Sequence, residues 1–205
     1  MCSCWHHPRR VSGDARHFHQ TELVQHQLSD IVDSLKAAQS RLRALTDKLS
    51  DSAWSAKPEP DRWSPAECVE HLNLTSRAYL PLLHDAVGKA RKMRGDPTTH
   101  YRRDPIGWFM SLMFAPRHHR RVPLPRVKTT SDFVTRGERS RTEILSEFVQ
   151  LQGALVTLIQ SADGLPIDKF KIVSPFGGKI KYNAYSALVI VARHEHRHLQ
   201  QAEEA

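Results

Sequence analysis

The chain has 205 residues, of which 40% are apolar and 25% charged, and its mean hydropathy is -0.51. This length and composition suit one globular domain, and only 9 glycines with 7% aromatic residues argue against a turn-rich β-sandwich. No stretch approaches about 18 apolar residues, so no transmembrane segment is expected. Without a signal-peptide pattern or a disulfide framework among its 3 cysteines, the protein is expected to be cytoplasmic.

The net charge of +8 is concentrated in one segment. Residues 91–130 contain ten lysines and arginines but only two aspartates, so the rest of the chain is neutral in sum. Such a patch either binds nucleic acid non-specifically or forms a solvated surface. We favour the solvated surface, because no helix-turn-helix or aromatic RNA-binding signature accompanies the charge. Nucleic acid is therefore not an expected partner.

The chain opens with a segment that has no apolar periodicity, residues 1–20. We interpret it as a disordered leader, or as extra sequence that results from a translation start assigned too far upstream. Residues 21–205 are interpreted as the folded domain. Over residues 21–49 apolar residues recur at intervals of three, four and seven, which predicts a long amphipathic helix. Its apolar positions are Leu23, Leu28, Ile31, Val32, Leu35, Leu42, Leu45 and Leu49.

A second helix has a clear start. Ser64 is a suitable N-cap, Pro65 suits the first helical position, and Glu67 stands where it closes a capping box. The helix is predicted to run to about residue 93. One face then carries Cys68, His71, Leu72, Thr75, Ala78, Tyr79, Leu82 and Leu83.

Residues 94–132 break the regular pattern and form a long basic insertion between the second and third helices. Within the insertion, the apolar stretch 108–114 is too short to cross a bilayer and is predicted to form a short helix. That helix would cover the end of the bundle, line a pocket or join a partner subunit. Interfacial membrane contact is a weaker alternative, suggested by the basic residues that flank the stretch.

Residues 140–161 predict a third helix, which Gly164-Leu165-Pro166 ends, and residues 183–201 predict a fourth. Four helices of about 20 to 30 residues in one chain predict an all-α fold, a four-helix bundle. The long connection between the second and third helices leaves open whether the helix order is up-and-down or crosses the bundle.

Two histidines four residues apart, His194 and His198, stand at the end of the fourth helix. At about 100° per residue they share one face, where both can bind one metal ion. A tightly held divalent cation needs a third ligand. We predict His71 in this role, because it lies early in the capped second helix on its apolar face. Alternatively, His71 is a hydrogen-bonded core histidine, and His194 and His198 only interact favourably with the dipole at the C-terminal end of their helix.

The same stretch satisfies His-Glu-x-x-His, the zinc-peptidase pattern in which the glutamate activates water. That interpretation requires a third ligand well downstream, and only seven residues follow His198. His196 lies about 200° around the helix from His194 and is expected to face elsewhere, as is Glu195. Gln201, one turn after His198, is predicted to contact the ligands or the substrate, whereas Cys68 is predicted to be a small core residue.

Two motifs resemble the signatures of the DinB-like (YfiT-like) superfamily. The first is Trp63-Ser64-Pro65-Ala66-Glu67-x-x-x-His71-Leu72, and the second is His194-x-x-x-His198-x-x-Gln201, with Ser174-Pro175-Phe176-Gly177 before the last helix. The similarity spans about residues 21–203. It implies a four-helix bundle of the DinB/YfiT type, often a homodimer, in which His71, His194 and His198 hold zinc or nickel.

Characterised members of that family include S-transferases that use low-molecular-weight thiols such as bacillithiol or mycothiol, and a maleylpyruvate isomerase that uses mycothiol. The resemblance implies a metal-dependent transferase or hydrolase, in which the metal activates a thiol or water toward a small-molecule substrate. Arg193, Arg197 and the basic residues of 117–121 are candidates to steer an anionic thiol, but no catalytic residue is singled out. The alternative is a non-catalytic metal-binding module that serves a stress response or binds a partner.

Overall fold

The computed structural model describes residues 14–116, 133–135 and 139–205. Its helices are, in chain order, α1 (Asp14–Thr46), α2 (Asp51–Ser55), α3 (Pro65–Lys92), α4 (Pro105–Met113), α5 (Arg141–Ser161) and α6 (Ala184–Glu203). A short antiparallel hairpin precedes α6 and consists of β1 (Lys171–Val173) and β2 (Lys181–Asn183). The predicted all-α fold is confirmed, because the long helices α1, α3, α5 and α6 correspond to the four predicted from the sequence.

The first helix begins earlier than predicted. Helix α1 starts at Asp14, whereas the apolar periodicity placed its start at Thr21, and it ends at Thr46 instead of Leu49. It therefore includes the last part of the expected leader, of which residues 1–13 lie outside the described residues. The missed turns contain no periodic apolar positions, so the sequence pattern did not indicate that the helix extends into them.

The four long helices pack around a common core. Helix α3 contacts both α5 and α6, and α1 contacts the same two helices. Large buried side chains from all four helices meet there: Leu35, Tyr79, Leu83, Leu155 and Ile190. These contacts hold α3 and α6, the helices that carry the three predicted metal ligands, side by side.

Capping boxes define the starts of α3 and α5. The Ser64 hydroxyl accepts a hydrogen bond from the Glu67 backbone N–H at 3.2 Å, and the Glu67 carboxylate accepts one from the Ser64 backbone N–H at 2.9 Å. The predicted start of α3 is therefore confirmed. Ser140 and Glu143 form the same motif at the start of α5. A defined start of α3 fixes the position of His71 in the second turn of the helix.

Three short elements of the described chain were not predicted: α2, a 3₁₀ turn at Ile167–Lys169 and the β1–β2 hairpin. In the hairpin, Ile172 lies opposite Tyr182, and both side chains are buried. The hairpin runs directly into α6, whose N-cap Asn183 accepts a hydrogen bond from the Ser186 backbone N–H at 2.8 Å. The hairpin therefore sets where α6 begins.

The start of α4 is tied to the start of α6. One carboxylate oxygen of Asp104 accepts a hydrogen bond from the Gly107 backbone N–H at 2.8 Å, and the other accepts one from the Asn183 backbone N–H at 3.1 Å. The two helices approach so closely that a Cβ atom added at Gly107 would lie 2.2 Å from the Ser186 Cβ atom. Glycine at this position is therefore a requirement of the packing.

Helix α4 is the short helix predicted in the insertion, and it begins at Pro105, three residues before the apolar stretch. Its Trp108 and Phe109 side chains are 51% and 53% exposed. Residues 117–132 of the insertion lie outside the described residues. In the described part of the chain, no helix has the length and apolar character needed to cross a membrane.

Candidate metal centre

Three buried histidines lie together where α3 and α6 meet. His71 comes from α3, and His194 and His198 come from successive turns of α6. Their exposed fractions are only 2%, 3% and 8%. The three ligand atoms lie within 4.8 Å of one another, an arrangement that can hold a metal ion. Among the described residues, no other group of three or more His, Cys, Asp or Glu side chains has this geometry.

The Nε2 atoms of the three imidazoles converge. The Nε2 atom of His194 lies 3.3 Å from that of His71 and 2.9 Å from that of His198. For zinc, bonds of about 2.0–2.1 Å in a tetrahedral arrangement place two ligand nitrogens about 3.3 Å apart. The structure thus brings the three predicted residues together at a spacing that suits a metal ion.

A backbone carbonyl determines how His71 presents its ring. Its Nδ1 atom lies 2.9 Å from the carbonyl oxygen of Phe133, to which Nδ1–H donates a hydrogen bond. The lone pair is therefore on Nε2, the atom that faces His194. Hydrogen bonds of this kind orient metal-binding histidines and make the other ring nitrogen a stronger ligand for a metal ion. The Nδ1 atoms of His194 and His198 have no hydrogen-bond partner among the described residues.

Burial keeps the three imidazoles neutral. It lowers the pKa of His71 to about 4, while the hydrogen bond to the Phe133 carbonyl acts in the opposite direction. Burial also lowers the pKa values of His194 and His198 well below the usual value, and the positive charge of Arg197 adds to the effect at each histidine. Neutral imidazole is the form that binds a metal ion, so the surroundings favour binding at neutral pH.

Four aromatic side chains enclose the histidines, and we call this set the aromatic cover: Trp63, Phe114, Phe133 and Phe176. The Trp63 ring centroid lies 4.8 Å from that of His71. The Phe114 and Phe176 rings lie 5.1 Å and 5.3 Å from the His194 ring. The aromatic cover shields the histidines from bulk water and gives the site apolar surroundings.

The family model of the DinB superfamily matches residues 34–202, which include all three histidines. The protein belongs to the DinB superfamily. The resemblance indicated by the two histidine motifs is therefore confirmed. Because this superfamily binds metals, the three-histidine cluster fits a metal-binding DinB-like protein. Comparison with curated proteins and with solved structures gives no match.

Two further predicted residues lie close to the ligands in this DinB-superfamily member. Gln201 follows His198 by one turn of α6, and its side chain opposes the lowering of the His198 pKa by burial. Cys68 is fully buried on α3 and is not part of the ligand group. Burial raises the pKa of Cys68 to about 12, so its thiol is protonated at neutral pH.

Glu195 and His196 contact other helices. The Gln152 side chain of α5 donates a hydrogen bond from Nε2 to the Glu195 carboxyl group at 2.6 Å, and burial raises the pKa of Glu195 to about 8. His196 Nε2 lies 3.0 Å from the Ser34 carbonyl oxygen of α1, to which it donates a hydrogen bond. The site therefore differs from that of a zinc peptidase, in which this glutamate acts beside the metal.

Two arginines of α6 hold the C-terminal end of α4. Arg193 Nη1 donates to the Ser111 carbonyl oxygen at 3.2 Å, and Arg197 Nη1 donates to the Met113 carbonyl oxygen at 2.7 Å. Cations at a helix C-terminus are stabilising because they satisfy its last carbonyl groups. Two of the candidates for steering an anionic thiol are thus bonded to α4, and residues 117–121 lie outside the described residues.

The sequence did not indicate the aromatic cover as a set. Trp63 and Phe176 belong to the motifs that carry the family resemblance. Phe114 lies inside the predicted insertion and Phe133 directly follows it, and neither belongs to a periodic pattern. Without periodicity, an apolar side chain gives no indication of the surface on which it packs.

Proposed function

We propose that this protein is a metal-dependent enzyme in which His71, His194 and His198 hold a divalent cation, zinc or nickel, that activates a thiol or a water molecule. The reaction is the transfer of a low-molecular-weight thiol to a small-molecule electrophile, or a hydrolysis. One observation carries this proposal: the Nε2 atoms of three neutral imidazoles converge, and no fourth ligand joins them among the described residues.

A set of three donors among the described residues supports a catalytic site over a structural one. Structural zinc sites are closed by four protein ligands, whereas catalytic sites have three and keep one position open. Cys68, one turn from His71, does not join the group. When bound, the divalent cation supplies a Lewis acid that makes a thiol or a water molecule a stronger nucleophile near neutral pH.

The surrounding residues favour an anionic nucleophile and an apolar reaction partner. The positive charge of Arg197 acts on all three histidines, so it also stabilises a negative charge placed among them. The aromatic cover excludes water, which strengthens that attraction. It also offers aromatic faces to an apolar group. These features favour thiol transfer over hydrolysis.

The second candidate function is a non-catalytic metal-binding module. The low exposure of the histidines, at most 8%, supports it, because a cation enclosed in this way is removed from solution. The two candidates differ in one measurable property, which is turnover of a substrate by the metal-loaded protein.

The test is a conjugation assay with metal-loaded protein. An aromatic chloride electrophile is offered with bacillithiol, mycothiol or glutathione, and a p-nitrophenyl ester is offered without thiol. We expect thiol-dependent turnover by the wild type, its loss after chelation, and its recovery when zinc or nickel is returned. His71→Ala should be inactive. His84→Ala is the matched control, because His84 is an exposed histidine of the same helix.

Each outcome decides between the candidates. Ester hydrolysis without thiol turnover would assign water as the nucleophile. Stoichiometric metal with no turnover in any assay would contradict the enzyme and support the binding module. Equal activity of His71→Ala and His84→Ala would contradict a role for the three-histidine site.

We also propose a homodimer and a cytoplasmic location, both of which rest on the resemblance and on composition. Sedimentation equilibrium would distinguish a dimer from the 23.4 kDa monomer. Fluorescence microscopy of a tagged full-length chain would test the location.

A further inference from the structure

A cavity of about 480 Å³ lies between α1, the C-terminal end of α4 and α6. We call it the α1–α4–α6 cavity, and it is lined by Ser34, Arg41, Leu112, Ala115, Pro116, Arg193 and His196. At about 100° per residue, His196 lies about 160° around α6 from both His194 and His198, and Arg193 lies about 100° and 140° from them. The cavity is therefore separate from the metal centre, and its volume is typical of small-molecule sites.

Arg193 is the cation at this cavity whose charge is not neutralised. It is half-buried, and it has no ion-pair partner in the part of the chain that the structure describes. Arg41, the other lining arginine, is paired with both carboxylate oxygens of Glu203 at 2.5 Å. A half-buried guanidinium without a counter-ion is costly, because it has lost part of its hydration and gained no anion.

A second arginine increases that cost. Arg103 Nη1 donates to the Ser111 hydroxyl at 2.8 Å, and Arg193 Nη1 lies 3.3 Å from the same oxygen. The Ser111 hydroxyl donates its own hydrogen to the Trp108 carbonyl oxygen at 2.7 Å, so it serves both arginines only as an acceptor. Two positive charges therefore share one neutral oxygen, and an anion nearby would relieve their repulsion.

Arg193 also has donors to offer. Its hydrogen bonds within the described residues use only Nη1, which leaves the Nε and Nη2 donors for a ligand. Nε and Nη2 form the edge of a guanidinium that binds a carboxylate or a phosphate through two parallel hydrogen bonds. Leu112, Ala115 and Pro116 give the rest of the cavity an apolar side.

We propose that the α1–α4–α6 cavity binds a small molecule through its carboxylate or phosphate group, which the guanidinium of Arg193 recognises. The site is separate from the proposed metal chemistry, because none of its lining residues belongs to the three-histidine cluster or to the aromatic cover. It gives the protein a second ligand site, specific for a small oxyanion with an apolar portion.

The test follows the arginine side-chain Nε–H resonances of ¹⁵N-labelled protein during titration with sodium phosphate or sodium acetate at constant ionic strength. Acetamide is the neutral comparison for acetate. We expect a saturable shift of the Arg193 Nε–H resonance, and the oxyanion that binds more tightly identifies the ligand group. Arg193→Gln should weaken binding by about tenfold or more. Arg43→Gln is the matched control, since Arg43 is an exposed arginine of α1, and it should bind as the wild type does.

The wild-type resonance keeps the test decisive even if Arg193→Gln disturbs α4. The proposal is overturned if neither oxyanion shifts that resonance saturably, or if acetamide acts as acetate does. Unchanged binding by folded Arg193→Gln would overturn it as well. The titration is run with metal-loaded and chelator-treated protein, and equal affinity is expected. Binding that requires the metal would place the anion at the histidines and contradict this site, whatever the outcome of the conjugation assay.

Discussion

The Nε2 atoms of His71 and His194 lie 3.3 Å apart, although the two histidines are 123 positions apart in the chain. They meet because α3 and α6 pack along each other, and because the capping box at Ser64 defines where α3 begins. A cation held by both histidines joins the two helices. Since a ligand that binds only the folded chain stabilises it, we expect metal content and stability to be coupled at this site.

Replacement of His71 by alanine should remove the bound metal. Two ligands on α6 hold a divalent cation much more weakly than three. We expect about one metal ion per wild-type chain by plasma mass spectrometry, and almost none in His71→Ala. Cys68→Ala, one turn earlier on α3, is the matched control and should retain the metal. Equal metal content in the two variants would exclude the three-histidine site.

Removal of the metal should lower the melting temperature. A cation present at a hundred times its dissociation constant stabilises the fold by about 2.7 kcal/mol, which is about 5–10 °C for a chain of this size. The measurement is calorimetry with zinc and with chelator. The His71→Ala variant should melt at the same temperature in both conditions. A shift of equal size in that variant would show that zinc stabilises the fold at another place.

Glu195→Gln should leave metal content and activity close to those of the wild type. The Glu195 carboxyl group is bonded to Gln152 and not to the metal centre, and an amide of the same shape can take its place. Loss of a general base would instead reduce the rate by about a hundredfold or more. Gln152→Ala leaves a buried carboxyl group without its donor, so it should cost about 1–3 kcal/mol in the free energy of unfolding. Urea denaturation measures that cost.

Gly107→Ala should destabilise the fold by about 1–3 kcal/mol, because the new methyl group meets the Ser186 side chain at 2.2 Å. Chemical denaturation provides the measurement. Gly153→Ala is the control, since a Cβ atom at that position of α5 meets nothing within 4 Å, and it should stabilise the protein by up to about 1 kcal/mol. The double variant Gly107→Ala, Ser186→Gly should recover part of the loss. No loss in Gly107→Ala would contradict the close packing of α4 on α6.

Cys68 should resist alkylation in the folded protein. Burial raises the pKa of its thiol to about 12, so at pH 8 or 9 the reactive thiolate is at most about one part in a thousand. The raised pKa means that the thiolate fraction grows only as the pH approaches 12. Iodoacetamide followed by peptide mass spectrometry should find Cys68 unmodified at pH 8 and modified in urea. Rapid modification without denaturant would show that α3 opens at this turn.

The long elements and the ligands were predictable because their signals are repeated along the chain. Apolar spacing indicated α3, α5 and α6, and the spacing of His194 and His198 placed both on one helical face. The α2 helix and the β1–β2 hairpin are too short for periodicity to appear in them. Their position depends on tertiary contacts such as the burial of Trp54 and Tyr182. The aromatic cover was missed for the same reason, since Phe114 and Phe133 are placed by packing and not by a local pattern.

The carboxylate of Asp104 has a consequence for the metal centre, although it lies at the far end of α6 from the histidines. It accepts hydrogen bonds from the first turn of α4 and from the N-cap of α6, and α4 leads directly into Phe114. Loss of the Asp104 carboxylate would remove this shared acceptor and free the N-terminal end of α4. The position of the Phe114 ring would then depend more on the hydrogen bonds that Arg193 and Arg197 donate to α4, and on its contact with Phe176. We therefore expect access to the imidazoles to depend partly on a side chain that touches none of them.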